Sequence, residues 1–257
     1  ANHTFGTKVD GEIGRVSFRS GRDGYELAAL PVDDQVIDSV ERYFATLLPG
    51  GDARHAREVY PFDGETTFTN WVARSWMRLF AGTGLVIVEP ALLRPACGGL
   101  FHQALQQREA IGKLMDSVAA ELSVAGYRVP LDPKTAGTPF RIDSSGSRLR
   151  VSETAALMRD GIPNLRELST DAALRPVFAD ALLPNIAHIV GASELGYHAM
   201  LKPLYGLFGV TQPSVLPRRS LTFISEAEAE TLDRYGLTVE EALVGEVSLP
   251  TVTSMLL

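Results

Sequence analysis

A single cysteine, Cys97, stands in a chain of 257 residues. One thiol excludes an intrachain disulfide and any paired-cysteine zinc site, and it fits a reducing, cytoplasmic setting. No HxxxH or HExxH spacing occurs, so the sequence holds no recognisable metal site. No apolar run approaches the ~20 residues that span a bilayer, and no signal peptide is recognisable, so no membrane partner is expected. Cations are in short supply as well: 24 Lys and Arg against 31 Asp and Glu leave a net charge of −7. That balance argues against a nucleic-acid partner held by general electrostatics. A Walker loop, a GxGxxG run, a GxSxG elbow and a Ser-His-Asp arrangement are all missing. The initial residue is Ala rather than Met, which points to a piece of something longer.

What is present is ordinary globular material, 45% hydrophobic and 21% charged, enough for one large or two modest domains with a sizeable core. Helical and short apolar segments alternate. Asp33 and Asp34 sit at an N-cap position ahead of QVIDSVERYFATLL, which should stop at Pro49-Gly50-Gly51. TNWVARSWMRLFAGTG places Trp71, Val72, Ser75, Trp76 and Leu79 on one helical face and ends at Gly82. LVIVE (85–89), closed by Pro90, reads as a buried parallel strand. Residues 101–125 carry one long helical pattern, and FRIDSSGSRLRV (140–151) alternates about a Ser-Gly turn as a hairpin would. SETAALMRD should form a helix that stops at Gly161 and Pro163. This middle stretch reads as an insertion carried on a sheet.

The α/β wiring then returns, with LLPNIAHIV a strand, SELGYHAML a helix, and SVLP and LTFI two further strands. Pro203 should kink or end the helix near Lys202, because it removes the bond to the Ala199 carbonyl. Ser225 with Glu228, and Thr238 with Glu241, have capping-box spacing.

The turn Gly191-Ala192-Ser193 between strand and helix presents free N–H groups, yet Glu194 occupies the first helical turn. A carboxylate there repels a phosphate. Either Glu194 only stabilises its own helix, or it meets an amine or hydroxyl. His188 and His198 flank the same turn, each readable as a base or as a packed imidazole. Arg218, beside Arg219 in PRRS, is a planar fork suited to a carboxylate or phosphate, or plain surface charge. Arg175 and Asp180 read as ligand groups or as a structural ion pair. Cys97 before a helix reads as a packed cysteine rather than a nucleophile.

The segment LSTDAALRPVFADALLPNIAHIVGASELGYHAMLKPLYGLFGVTQPSVLPRRSLTFI resembles a signature of the bacillithiol-biosynthesis cysteine-adding enzymes, the BshC family of cysteine ligases. Ser169 to Pro176, Asp180, Pro184, Gly191, Glu194, Tyr197, Arg218, Ser220 and Thr222 fall on its positions. GLVIVEP resembles the family's strand, and ANHTF resembles the residues after its acidic-histidine motif. Two departures stand out: the family's Gly-Gly-Pro turn is Val190-Gly191-Ala192 here, and its usual tyrosine is His188.

The resemblance implies the later part of a Rossmann-like, nucleotidylyltransferase-like parallel-sheet core with a helical and β-hairpin insertion. Residues 1–90 would be the first part of that core, 91–164 the connecting insertion, 165–225 the second part, and 226–257 a helical extension toward a dimerising coiled coil. The implied reaction joins the carboxyl of cysteine to the amine of glucosaminyl-malate, with ATP or another nucleotide as activator and a homodimer as the full-length state. Glu194 and His188 would be catalytic. Gly191, Ser193, Tyr197, Arg218, Arg175, Asn2 and His3 would bind substrate. The competing reading is a non-catalytic α/β ligand-binding or assembly module. A generic nucleotidyltransferase-like enzyme would share the fold but not the match from Ser169 to Thr222.

Overall fold

The computed structural model describes residues 2–9, 12–19, 24–47, 50–60, 62, 64, 66–151, 167–219, 221–222 and 224–244, with backbone alone described for 2–9, 12–19, 46–47, 50–52 and 193. Two compact units divide the chain, Ala1–Leu216 and Pro217–Leu257. The first unit opens with an antiparallel hairpin of β1 (Asn2–Val9) and β2 (Glu12–Arg19), in which Asn2 faces Arg19 and Val9 faces Glu12.

A small three-helix core follows: α1 (Asp34–Leu47), α2 (Gly50–Val59) and α3 (Phe68–Leu79). α1 starts as expected, because the Asp33 carboxylate accepts the Val36 N–H at 3.1 Å. The Pro49-Gly50-Gly51 stop is short-lived: a second helix begins at Gly50. Val36, Val40, Phe44, Ala53 and Trp71 fill the space between these helices, and Phe62 stacks on Trp71 with ring centroids 5.2 Å apart. The face expected of α3 is buried only at Trp71 and Ser75; Trp76 and Leu79 are about half exposed (49% and 52%).

LVIVE is not a strand. Residues 85–89 run without regular structure, and Val86, Ile87 and Val88 are exposed. A β-rich run becomes a strand only when another strand satisfies its N–H and C=O groups, and none of the described strands pairs with it. Pro90 opens rather than closes an element, as N1 of the short α4 (Pro90–Leu93).

The long helical pattern is two helices, α5 (Gly98–Gln106) and α6 (Arg108–Val124), broken at Gln107 and ended before Gly126 in the left-handed region (φ 80°). The 140–151 hairpin forms as β3 (Phe140–Ile142) and β4 (Arg148–Arg150), with β5 (Leu168–Ser169) antiparallel on the other side of β3. Asp143 caps its turn through Ser145 N and Ser147 N at 2.8 and 3.0 Å. The helix expected at SETAALMRD lies outside the described residues.

β5 runs into Asp171, whose carboxylate accepts the Leu174 N–H at 2.9 Å and starts α7 (Leu174–Leu182). β6 (Ala187–Val190), α8 (Ala192–Phe208) and β7 (Ser214–Pro217) then form a strand–helix–strand unit. Ser214 N–H at the head of β7 donates to the Ile186 carbonyl just ahead of β6 (3.2 Å), so the strands start side by side, as in a βαβ crossover.

Pro203 neither ends nor shortens α8, which continues to Gly209 in the left-handed region (φ 68°). Burial decides this. An interior proline costs ~3 kcal/mol, whereas Met200, Leu201, Leu204, Tyr205 and Phe208 are all buried here, each contributing ~1.5–3 kcal/mol. They join Phe101, Ile111, Met115, Leu168, Leu174, Val177 and Phe178 in the main core. Cys97 packs in that core too, and burial pushes its thiol pKa up.

In the second unit, both capping boxes form. Ser225 and Glu228 start α9 (Glu226–Tyr235), and Thr238 and Glu241 start α10 (Val239–Val244), with paired bonds of 2.8–3.2 Å. LTFI is not a strand: Leu221 is exposed at 79%, and its described residues carry no strand structure.

Candidate active site

Three consecutive elements converge near the end of α7. Asp180, in the last turn of α7, has a side chain only 1% exposed. Its Oδ2 accepts the Tyr205 hydroxyl from α8 at 2.5 Å and lies 2.8 Å from His188 Nε2 on β6. Its Oδ1 accepts Asn185 Nδ2 at 2.6 Å. A carboxylate only accepts, so the His188 contact assigns a proton to Nε2, and in a neutral imidazole Nδ1 is then the lone-pair nitrogen. Asp180 thus fixes both tautomer and ring orientation, the part an aspartate plays beside a general base.

His188 lines a cavity of about 370 Å³. Arg175 and Pro176 from α7, Glu194, Tyr197 and His198 from α8, Ser169 at the end of β5 and Thr170 just after it share its wall. Val88, Leu93, Cys97, Phe101 and Phe178 supply the apolar part. Glu194 does two things at once. One carboxylate oxygen accepts the Gly191 N–H at 2.6 Å, closing the start of α8, and the same side chain faces the cavity. Tyr197 donates to the Ala172 carbonyl and has the Arg175 guanidinium beside its hydroxyl.

His198 is buried, its ring centroid 4.8 Å from that of His188, and its Nδ1 has no hydrogen-bond partner. Burial, aided by neighbouring His188, holds its pKa below the usual histidine value. Burial likewise pushes Tyr197 and Tyr205 up, with the Asp180 carboxylate adding to the rise at Tyr205. The chemistry available is therefore one oriented imidazole, the Glu194 carboxylate and the guanidinium groups of Arg94 and Arg175 around a largely apolar space.

Residues 2–219 match the family described as Bacillithiol biosynthesis BshC, N-terminal Rossmann-like domain. The chain belongs to the BshC family. Among curated relatives named "Putative cysteine ligase BshC", that of Geobacillus thermodenitrificans is 27% identical over 93% of this chain and 48% of its own length. The relative from Natranaerobius thermophilus is 28% identical over 68% of the chain and 35% of itself, and that of Salinibacter ruber 26% over 90% and 46%. The chain spans about half the length of the curated relatives it matches or less. The BshC match places the α/β architecture in the Rossmann-like class.

Of the residues singled out in the sequence, His188, Glu194, Tyr197 and Arg175 line one cavity. Gly191 lies beside it as the N-cap of α8. Ser193 is in the first turn of α8, with its side chain outside the described set. Asn2 and His3 lie on β1, where only the backbone is described. Arg218 is exposed in the second unit. Asp180 is hydrogen-bonded to His188 rather than paired with Arg175.

Tyr205, Ser169, Thr170 and Arg94 were not read as site residues. The signal for Tyr205 is periodic: Glu194, Tyr197, His198, Leu201 and Tyr205 follow i, i+3, i+4, i+7, i+11, one face of a helix. Among the described residues no group of His, Cys, Asp and Glu is placed to hold a metal ion, and no helix is long and apolar enough to cross a membrane.

Proposed function

We propose that this cavity is the amide-forming site of a cysteine ligase, joining the carboxyl of cysteine to the amine of glucosaminyl-malate. The observation that carries the reading is His188, oriented by buried Asp180 and facing the cavity. An amine reaches a site as an ammonium and must lose a proton before it attacks a carboxyl carbon. Nδ1 of a neutral, oriented imidazole takes that proton, a service usually worth ~10²–10⁴ in rate. Glu194 pairs with the incoming ammonium, Tyr197 holds the rim, and Arg175 binds a substrate carboxylate. Gly191 and Ser193 set the turn; Asn2, His3 and Arg218 complete the substrate contacts of the whole protein.

Oxide is a poor leaving group, so the carboxylate needs activation. The start of α8 does not fit the phosphates of a nucleotide, because Glu194 already fills it. The arginines beside the cavity do fit an anion. A nucleoside triphosphate, when bound, supplies a group that turns the carboxylate oxygen into a leaving group.

The test is to incubate the complete gene product with cysteine and glucosaminyl-malate, with and without ATP, and to look for the amide by mass spectrometry. Wild type should form it; His188→Gln, Glu194→Gln and Arg218→Ala should lose turnover while keeping the fold. Turnover unchanged in all three removes the mechanism, and binding without product leaves a ligand-binding module. The reading also takes a cytoplasmic homodimer as the working state of the longer protein, which light scattering on that protein checks.

A further inference from the structure

A second cavity of about 390 Å³ adjoins the first and shares Pro90, Arg94, Ser169, Thr170 and Arg175 with it. The two are chambers of one crevice. In the second chamber the defining side chain is Arg148, on β4. Its guanidinium lies 4.2 Å from the Phe140 ring centroid, and Nη2 donates to the Thr170 carbonyl at 3.0 Å. Its Nε is buried with no hydrogen-bond partner. Burial, with Arg94 and Arg150 nearby, lowers its proton affinity, while Glu26 and Asp171 oppose that shift. A half-buried cation with an unmet donor is costly unless something anionic meets it.

The carboxylates around this chamber are largely committed. Asp171 spends its oxygens on Gly137 N–H at 2.7 Å and Leu174 N–H at 2.9 Å. Glu26 pairs with Arg94. Glu89 stands on the wall, shared with the groove beside α3. Among the described residues no salt bridge links a carboxylate to Arg148 or Arg175. Two guanidinium forks with no carboxylate in salt-bridge contact therefore line one space together with Ser169 and Thr170.

We infer that this second chamber is a binding site for a compact anion, held by Arg148 and Arg175. Planar forks of this kind take a carboxylate or phosphate through paired N–H donors. A dicarboxylate carried by the amine substrate and the phosphates of an activating nucleotide share that chemistry. Because Arg175 belongs to both chambers, an anion seated here points the rest of its molecule toward His188. The assignment rests on the proposed ligase site for its meaning, but binding of the anion stands or falls independently of turnover.

Isothermal titration of the purified chain with malate, pyrophosphate and ATP tests it. Arg175→Met, at an exposed position, and Arg148→Lys, which keeps the charge but loses the fork, should each weaken binding at least about tenfold, or ~1.4 kcal/mol. Arg128→Met, exposed and outside the crevice, should leave it unchanged. Malate weakened and pyrophosphate unaffected assigns a dicarboxylate seat; the reverse assigns a phosphate seat. No binding by wild type, or equal binding by both crevice variants, overturns the inference, whether or not the amide product is ever seen.

Discussion

Replacing Asp180 with asparagine keeps the shape of the site and removes its buried charge. In the native protein that charge accepts Tyr205 at 2.5 Å, His188 at 2.8 Å and Asn185 at 2.6 Å. Hydrogen bonds to charged acceptors contribute ~1.5–3 kcal/mol, against ~0.5–1.5 for neutral ones, so the His188 and Tyr205 bonds should each weaken by about 1 kcal/mol. Asn185 is exposed and can turn its amide over to match. The expected loss for Asp180→Asn is therefore about 2 kcal/mol, or roughly 4–8 °C in Tm for a chain of this size. Asp180→Leu should lose more, about 3–5 kcal/mol, because the Tyr205 hydroxyl, on a residue 1% exposed, is left with no acceptor. Urea unfolding followed by circular dichroism gives both values, and the midpoint should move at constant m. A double-mutant cycle with Tyr205→Phe should return a coupling of about 1 kcal/mol. If Asp180→Asn costs less than about 0.5 kcal/mol and the cycle is additive, Asp180 does not organise the site.

Three further outcomes follow from the same packing. Tyr205 has a raised pKa, so an unfolded chain ionises this tyrosine near the ordinary value of about 10 while the folded one keeps it protonated; stability should fall as pH rises above about 10, and Tyr205→Phe should flatten that fall. His198 has the opposite displacement, so its neutral burial supports the fold above about pH 6.5, and stability should drop as pH falls below that value, less so in His198→Phe. Gly137 adopts φ 76°, and a Cβ there would lie 2.3 Å from Ile111 Cγ2; Gly137→Ala should cost ~2–4 kcal/mol in the same unfolding assay, and a neutral result would contradict the packing.

Local chemistry was legible in the sequence wherever the deciding partners are near neighbours. Asp33 ahead of α1, the two capping boxes and the hairpin about the Ser-Gly turn of 140–151 all form where their residues are named. Elements failed where a distant partner decides. LVIVE has strand propensity but no strand beside it among the described residues, and the helix through Pro203 survives because its buried face outweighs one missing bond. The site shows the same division. Glu194 as its own helix cap was readable from three residues, and that bond sets the carboxylate beside the cavity. The Asp180–His188–Tyr205 contact was not, since it needs the end of α7, β6 and the middle of α8 to meet. Arg148 was hidden for the same reason, on a hairpin read only as an insertion.

The most direct measurement compares amide formation by the complete gene product and its His188→Gln variant across pH, with cysteine, glucosaminyl-malate and ATP, scored by product mass. The account predicts a His188→Gln variant at least about a hundredfold slower than the wild type at every pH tested, while it still binds malate. An amide formed equally fast by the variant, or no amide from the wild type under any of these conditions, would contradict it.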